Sequence, residues 1–298
     1  MASSSQTCHP APITRMFRGM QTLRDFIYLK VQSFAFTDAF VEHDGVGNSV
    51  HLSLRSSFLR QGVHNAVSSI SLAKLAGQTD IPLYQHLEVL ANGTWPKLTS
   101  LDLSGLDLTT QSSIGSPSCM EQLCRGTWPA LTALNLSHTQ LDHAAIRYLT
   151  EVKLPKLETL NLSWTWLGDD AAVQLQRAQW PELRHLSVRF NLLHAPAVAA
   201  FTSSWPKLRS LNLRSNFIDS TATAHLAQGQ WPMLEHLDLR TNRTDVWQLR
   251  AGLWPQLRTI GLDLSSLGSE GASWLLAKWP GLKIESGGGQ TADIIVIS

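Results

Sequence analysis

Leucines recur in a fixed pattern along this chain, from about residue 95 to residue 284. Each copy has one leucine, a second three positions later and a third two positions after that, with valine or isoleucine in a few places. The first leucines of the full triplets are Leu98, Leu131, Leu157, Leu183, Leu208, Leu234 and Leu257. Residues two apart lie on the same face of an extended chain, so the end of each triplet predicts a short strand with one apolar face.

Helical stretches follow most of these predicted strands. The segments LDHAAIRYLTEVKLP and LGDDAAVQLQRAQWP carry apolar residues three or four positions apart, which is the spacing of one helix face. Side-chain oxygens at a helix start can accept hydrogen bonds from free backbone N–H groups. The predicted N-cap residues are Asp142, Asp169 or Asp170, and Asp219 or Ser220. Pro196 suits the first position of a further helix.

Trp-Pro dipeptides precede the leucine triplets at a near-constant period. Leu154-Pro155 fills the one gap in a series of tryptophans formed by Trp95, Trp128, Trp180, Trp205, Trp231, Trp254 and Trp279. Proline cannot continue a helix, and it biases the preceding residue toward extended geometry. Each pair is therefore predicted to end one helix and start the next strand. The indoles are predicted to stack into a buried ladder, in which each N–H needs an acceptor.

Asparagine follows several of the predicted strands at a fixed place. The segments LSVRFN, LNLRSNFID and LDLRTNRTD carry Asn191, Asn216 and Asn242, and other copies have Leu106, Thr139 or Thr165 there. This pattern resembles the leucine-rich repeat family. Its period near 26 residues is similar to the ribonuclease-inhibitor-like and cysteine-containing, F-box-associated subtypes, with tryptophan replacing the usual cysteine before proline. The resemblance implies an α/β leucine-rich repeat solenoid, a horseshoe with a parallel β-sheet on its concave face and helices on its convex face.

The pattern divides the chain into four parts. Residues 1–45 are expected to form an N-terminal segment, disordered in part, that includes a cap. Residues 46–94 hold degenerate repeats, and residues 95–284 hold the regular ones. Residues 285–298 form a tail that either covers the last repeat or begins a truncated one, since terminal repeats need capping.

Two segments are candidates for the degenerate repeats. VSSISLAKLAGQTDIPLYQHL has Val67, Ile70 and Leu72 at the strand positions. NSVHLSLRSSF is a second candidate, although its offset from the first is short for a repeat. Both predict strands that extend the sheet toward the N-terminus.

Side chains between the leucines are predicted to point out of the concave face. The candidate partner-binding residues there are Trp164, His185, Arg189, Phe190, Arg214, His236, Asp238 and Arg240. Arginine and aromatic residues are favoured in binding hot spots, and guanidinium groups grip carboxylates or phosphates. An alternative stays open, in which Asp238 and Asn212 hold the arginines in a purely structural ladder. Trp166 and Trp247 are expected to be packed instead of functional.

Composition and charge narrow the class of partner. The formal charge is +1, so no general attraction to nucleic acid or an anionic membrane is expected. The sequence has no run of 18 consecutive apolar residues, so it predicts no membrane span. The three cysteines, Cys8, Cys119 and Cys124, give neither a disulfide framework nor a zinc site. A cytoplasmic location is expected, with the nucleus as an alternative.

Motifs of catalysis are absent from the sequence. It has no phosphate-binding loop, no HExxH, no GxSxG and no paired CxxC. We therefore expect no enzyme activity, cofactor, metal or small-molecule substrate. We expect a non-catalytic scaffold that binds a protein partner, and the arginine column favours an acidic one. The resemblance implies that the scaffold acts as an adaptor or substrate receptor in a larger complex. The alternative is a fragment or regulatory subunit of a larger multidomain protein with catalysis elsewhere.

Overall fold

A computed structural model describes residues 26–31, 49–53, 67–72, 83–108, 118–287 and 293–295. Within these ranges one sheet contains twelve strands. They are β1 Phe26–Val31, β2 Ser49–Ser53, β3 Val67–Ser71, β4 Ser100–Asp102, β5 Ala133–Asn135, β6 Thr159–Asn161, β7 His185–Ser187, β8 Ser210–Asn212, β9 His236–Asp238, β10 Thr259–Gly261, β11 Lys283–Ser286 and β12 Asp293–Ile295. Most of the predicted N-terminal segment, residues 1–45, lies outside the described residues.

Helices connect most of the neighbouring strands. The α-helices are α1 Leu83–Asn92, α2 Cys119–Arg125, α3 His143–Glu151, α4 Asp169–Leu175, α5 Ala195–Phe201, α6 Ser220–Leu226 and α7 Leu264–Lys278, and a 3-10 helix spans Val246–Ala251. From β3 to β11 the strand order follows the chain, and all nine strands run parallel. The fold is therefore the α/β leucine-rich repeat solenoid that the resemblance implies.

Antiparallel strands cover both ends of this parallel stack. β1 pairs antiparallel with β2 and with β3, so the segment NSVHLSLRSSF is not a further repeat. In the sheet β1 lies between β2 and β3, so β2 does not continue the parallel stack. At the other end β12 pairs antiparallel with β11. Of the two possibilities for the tail, this geometry matches a cover over the last repeat, because a truncated repeat would pair in parallel.

The leucine triplets and the indoles form one continuous core. All seven tryptophans of the Trp-Pro series are buried, and neighbouring rings stack at 6.1 Å between Trp180 and Trp205 and at 5.9 Å between Trp254 and Trp279. Five indole N–H groups donate to backbone carbonyls, belonging to Trp95, Trp128, Trp231, Trp254 and Trp279. Each dipeptide opens a turn, and the strand begins about five residues later. Trp205 departs from the predicted extended backbone, with a φ of 54°.

The asparagines join successive repeats on the buried side of the turns. Asn191 Nδ2 donates to the carbonyl of Leu162 at 2.8 Å, and its Oδ1 accepts from the backbone N–H of Leu167 at 2.9 Å. Similar bonds between repeats are made by Asn216 and Asn242. The asparagine ladder is incomplete, as predicted. In the repeat that has Thr165 at this position, the threonine hydroxyl bonds to the Leu162 carbonyl and to the Asn191 side chain.

Two of the predicted helix starts are wrong by one residue. Asp142 and Asp219 cap α3 and α6 by accepting from backbone N–H groups. At α4 the N-cap is Gly168, and Asp169 is the first residue of the helix. The Asp169 carboxylate accepts from the backbone N–H of His194 instead of capping α4. Pro196 occupies the second position of α5, after Ala195.

Candidate functional site

The parallel sheet has an open face, turned away from the helices, on which side chains of successive repeats align in columns. The strand register places one column at Asp102, Asn135, Asn161, Ser187, Asn212, Asp238, Gly261 and Glu285. Most of these Asx side chains accept from the backbone N–H two residues ahead, as Asn212 does from Arg214 at 3.0 Å. The polar column therefore shapes the end of each strand as well as the surface.

In six of the repeats the chain turns sharply three residues after the residue that belongs to this column. At this place the backbone is left-handed, with positive φ at Gly105, His138, Trp164, Phe190, Ser215 and Thr241. Residues other than glycine rarely adopt this backbone conformation, because it costs roughly 1–2 kcal/mol per residue. Bonds between repeats hold it, since the backbone N–H groups of Trp164 and Phe190 donate to the carbonyls of Arg189 and Arg214. Among these residues the side chains of His138, Trp164 and Thr241 are exposed, whereas those of Phe190 and Ser215 are half-buried.

Three rings at this turn form a stack, which we call the aromatic stack: His138, Trp164 and Phe190. The ring centroids are 5.5 Å apart for His138 and Trp164, and 4.0 Å apart for Trp164 and Phe190, with nearly parallel planes. Trp164 nevertheless stays 41% exposed. The guanidinium carbon of Arg189 lies 5.7 Å from the Phe190 ring centroid, within cation–π range. An exposed aromatic platform with an adjacent cation results.

The three predicted arginines occupy one column but have different environments. Arg189 is exposed, Arg214 is half-buried and Arg240 is buried. Arg240 donates twice to the Asp238 carboxylate, at 2.9 and 2.6 Å, and its Nη2 also lies 3.6 Å from Glu285. Donation of these hydrogen bonds to the Asp238 carboxylate raises the pKa of Arg240. Arg240 therefore fits the alternative in which Asp238 holds an arginine in a structural role, whereas Arg189 is accessible to a partner.

The two predicted histidines align on the open face. His185 of β7 and His236 of β9 both pair with Ser210 of β8 in the register, so they lie two strands apart. Both side chains are exposed. Partial loss of solvent around the ring lowers the pKa of His185 despite the nearby Glu158 carboxylate. His185 is therefore neutral at neutral pH and adds no charge to the arginine column.

Sequence reasoning missed a second set of exposed apolar side chains. Trp166 is 72% exposed, so the expectation that it is packed is wrong. Leu192 and Phe217 occupy the equivalent place in the next two repeats and are 40% and 44% exposed. Trp247 is 46% exposed, although its ring contacts Trp274 at 6.1 Å. The available signal was that Trp166, Leu192 and Phe217 each stand two residues beyond the turn column, outside the leucine pattern.

A groove of about 830 Å³ lies at the opposite, Trp-Pro edge of the repeats. It coincides with the gap in the indole ladder, because Leu154 lines it together with Trp180 and Trp205. Charges of both signs surround it, from Glu151, Lys153 and Arg177. Because these charges have both signs, the groove favours neither an anionic nor a cationic ligand.

Metal and thiol chemistry find little support in the described part of the chain. No group of three His, Cys, Asp or Glu side chains there is arranged to hold a metal ion. Cys119 and Cys124 are free, and burial raises their pKa values to about 11 and about 12. Both are therefore protonated at neutral pH. None of the described helices combines the length and apolar character that crossing a bilayer requires.

Comparisons with known proteins agree with the repeat architecture. A family model described as Leucine Rich repeat matches residues 153–175. No curated protein matches the chain. The match to the family model and the nine parallel strands support a leucine-rich repeat protein, and such proteins commonly bind other proteins.

Among the solved structures that resemble this chain are three from bacteria. An internalin (inlF) from Listeria monocytogenes is 18% identical over 68% of this chain and 64% of its own, with a TM-score of 0.38. The leucine-rich repeat-containing protein LegL7 from Legionella pneumophila is 17% identical, covers 78% of this chain and 86% of its own, and has a TM-score of 0.38. InlP from Listeria monocytogenes is 15% identical over 73% and 59%, with a TM-score of 0.39. The chain thus spans less than two thirds of the two Listeria structures.

Proposed function

We propose that this protein is a non-catalytic scaffold that binds another protein through the open face of its sheet. The single observation that carries the proposal is the exposed Trp164, stacked between His138 and Phe190 beside Arg189. Tryptophan, tyrosine and arginine dominate the binding energy of protein interfaces. An adaptor or substrate receptor in a larger complex is the role that suits such a surface.

Charge makes an acidic segment the favoured partner. Among the described residues Arg189 has no carboxylate within ion-pair distance, in contrast to Arg240, which Asp238 neutralises. Because His185 is neutral at neutral pH, the accessible positive charge of the arginine column comes from Arg189 and the half-buried Arg214. A carboxylate of the partner that reaches Arg189 can form a bidentate pair while an apolar side chain contacts Trp164.

We place this scaffold in the cytoplasm, with the nucleus as the alternative. The free, protonated thiols of Cys119 and Cys124 are compatible with a reducing compartment. Fractionation of native cells with an antibody against the protein tests the location.

Recovery of the partner with surface variants tests the binding role. The tagged protein and the variants Trp164→Ala and Arg189→Glu are used to purify partners from native cells, followed by quantitative mass spectrometry. We expect either substitution to reduce the recovered partner at least tenfold, because hot-spot side chains contribute about 2 kcal/mol or more.

Met233→Ala provides the matched control, since Met233 is an exposed apolar residue away from the open face, next to Pro232 of a Trp-Pro pair. It should leave partner recovery unchanged. Equal recovery with the wild-type chain, Trp164→Ala and Arg189→Glu would reject the open face as the binding surface.

A further inference from the structure

Three exposed apolar side chains follow the turn at equivalent positions of neighbouring repeats and are here called the rim band: Trp166, Leu192 and Phe217. They come from three consecutive repeats and lie in the loops between strands and helices. Trp166 has a left-handed backbone with a φ of 58°, yet 72% of its side chain is exposed. Burial of the indole within the protein therefore does not offset the cost of this conformation.

Two of the three rim-band residues, Leu192 and Phe217, already use their backbone N–H groups in hydrogen bonds between repeats, and Arg243 at the same position of the next repeat does so too. The N–H of Leu192 donates to Leu167, that of Phe217 to Leu193 and that of Arg243 to Ile218, at 2.9–3.0 Å. These donors cannot take up an added strand, which needs unpaired backbone groups. An occupant must bind through its side chains and satisfy its own backbone, as an α-helix does.

Charges of opposite sign flank the rim band. On the side of the sheet lies the arginine column, in which Arg189 is exposed. On the side of the helices lie the carboxylates at the helix starts, including Asp169 and Asp219. Asp169 also fixes the band, because it bonds to His194, whose ring stacks on Phe217 at 5.0 Å. A complementary occupant carries acidic side chains along one flank.

We propose that the rim band binds an amphipathic helix of a partner protein, with its acidic flank toward Arg189. Neighbouring repeats lie about 4.8 Å apart near the sheet, close to the 5.4 Å rise of one helical turn. Apolar residues three or four positions apart on the helix therefore meet successive members of the band. This inference rests on the proposed function, since it names the kind of protein segment that the scaffold takes.

A displayed library of helix-forming peptides of about 20 residues provides the probe. Selection on the wild-type chain should enrich sequences with apolar residues at positions i, i+3 or i+4 and i+7, and with Asp or Glu along one flank. We expect the variant Trp166→Ser/Leu192→Ser/Phe217→Ser to bind the enriched peptides at least 30-fold more weakly, and Arg189→Glu at least fivefold more weakly. Leu253→Ser is the matched control, because Leu253 is 80% exposed at the Trp-Pro edge, and it should bind normally.

Several outcomes would overturn the helix assignment. These are enrichment of sequences without a helical period, enrichment of basic flanks, failure to enrich any peptide, or equal binding to the rim variant. Sedimentation adds a further one: concentration-dependent self-association of the wild type that the rim variant abolishes would make a second copy the occupant. Since the rim substitutions are all on exposed side chains, thermal unfolding should show that the variant folds normally. A rim variant that loses the peptides but still recovers the native partner would refute this inference and leave the proposed function intact.

Discussion

Arg189 and Arg240 occupy the same position two repeats apart. They differ in exposure, and single residues beside each of them explain the difference. Asp238 lies against Gly261 of the next strand, where an added Cβ would come within 2.5 Å of Asp238 Oδ1 and 3.0 Å of Arg240 Nε. The missing side chain thus leaves room for the Asp238–Arg240 pair. Arg189 has Ser187 in the place of Asp238, so no carboxylate on its own strand holds it. The sequence predicts the column but leaves open which arginine is exposed, because that depends on packing across strands.

Removal of each arginine separates the structural role from the binding role. Arg240→Ala should lower the free energy of unfolding by about 2 kcal/mol, because it leaves the Asp238 carboxylate without its charged partner. Arg189→Ala should change it by less than about 0.5 kcal/mol, as expected for an exposed side chain. Urea unfolding followed by circular dichroism measures both. Equal effects of the two substitutions would show that the difference in burial does not determine their roles.

Among the elements, the turn after each strand combines conformational cost with function. Gly105 adopts its left-handed backbone freely, whereas Trp164 and Phe190 adopt it with large rings that then stack outside the sheet. The leucine spacing predicts the strands because it reflects a local periodicity. It does not predict the exposure of Trp166, since a loop has no apolar period, nor the cap at Gly168, which depends on the contact between Asp169 and His194.

Glycine substitutions test the cost of this turn. Thr241 has a φ of 57° and an exposed side chain, so Thr241→Gly should raise the free energy of unfolding by about 1 kcal/mol. The same change at Thr159, an exposed residue of β6, should lower it by about 0.5–1 kcal/mol, because glycine is unfavourable within a strand. Thermal or urea unfolding compares the two. A decrease at Thr241 as large as that at Thr159 would contradict the assigned backbone conformation.

In the molecule as a whole, the repeats create two edges of different character. At the Trp-Pro edge the indoles are buried in a ladder that joins the layers, whereas at the strand-end edge aromatic and apolar side chains remain exposed. The periodicity predicts the strands, the helices and the buried indoles, and the family resemblance implies the parallel sheet. The sequence shows that the members of the rim band share one repeat position, but their exposure depends on how the loops pack, which the leucine spacing does not determine. The binding surface is therefore expected on the open face and its strand-end edge, away from the ladder.

Site-specific photo-crosslinking tests this claim most directly. A benzoylphenylalanine at position 185, on the open face, and another at position 253, at the Trp-Pro edge, are compared in native cells under equal illumination. The account predicts a covalent adduct with the purified partner from position 185 and none from position 253. An adduct from position 253 alone, or equal adducts from both positions, would contradict binding through the open face.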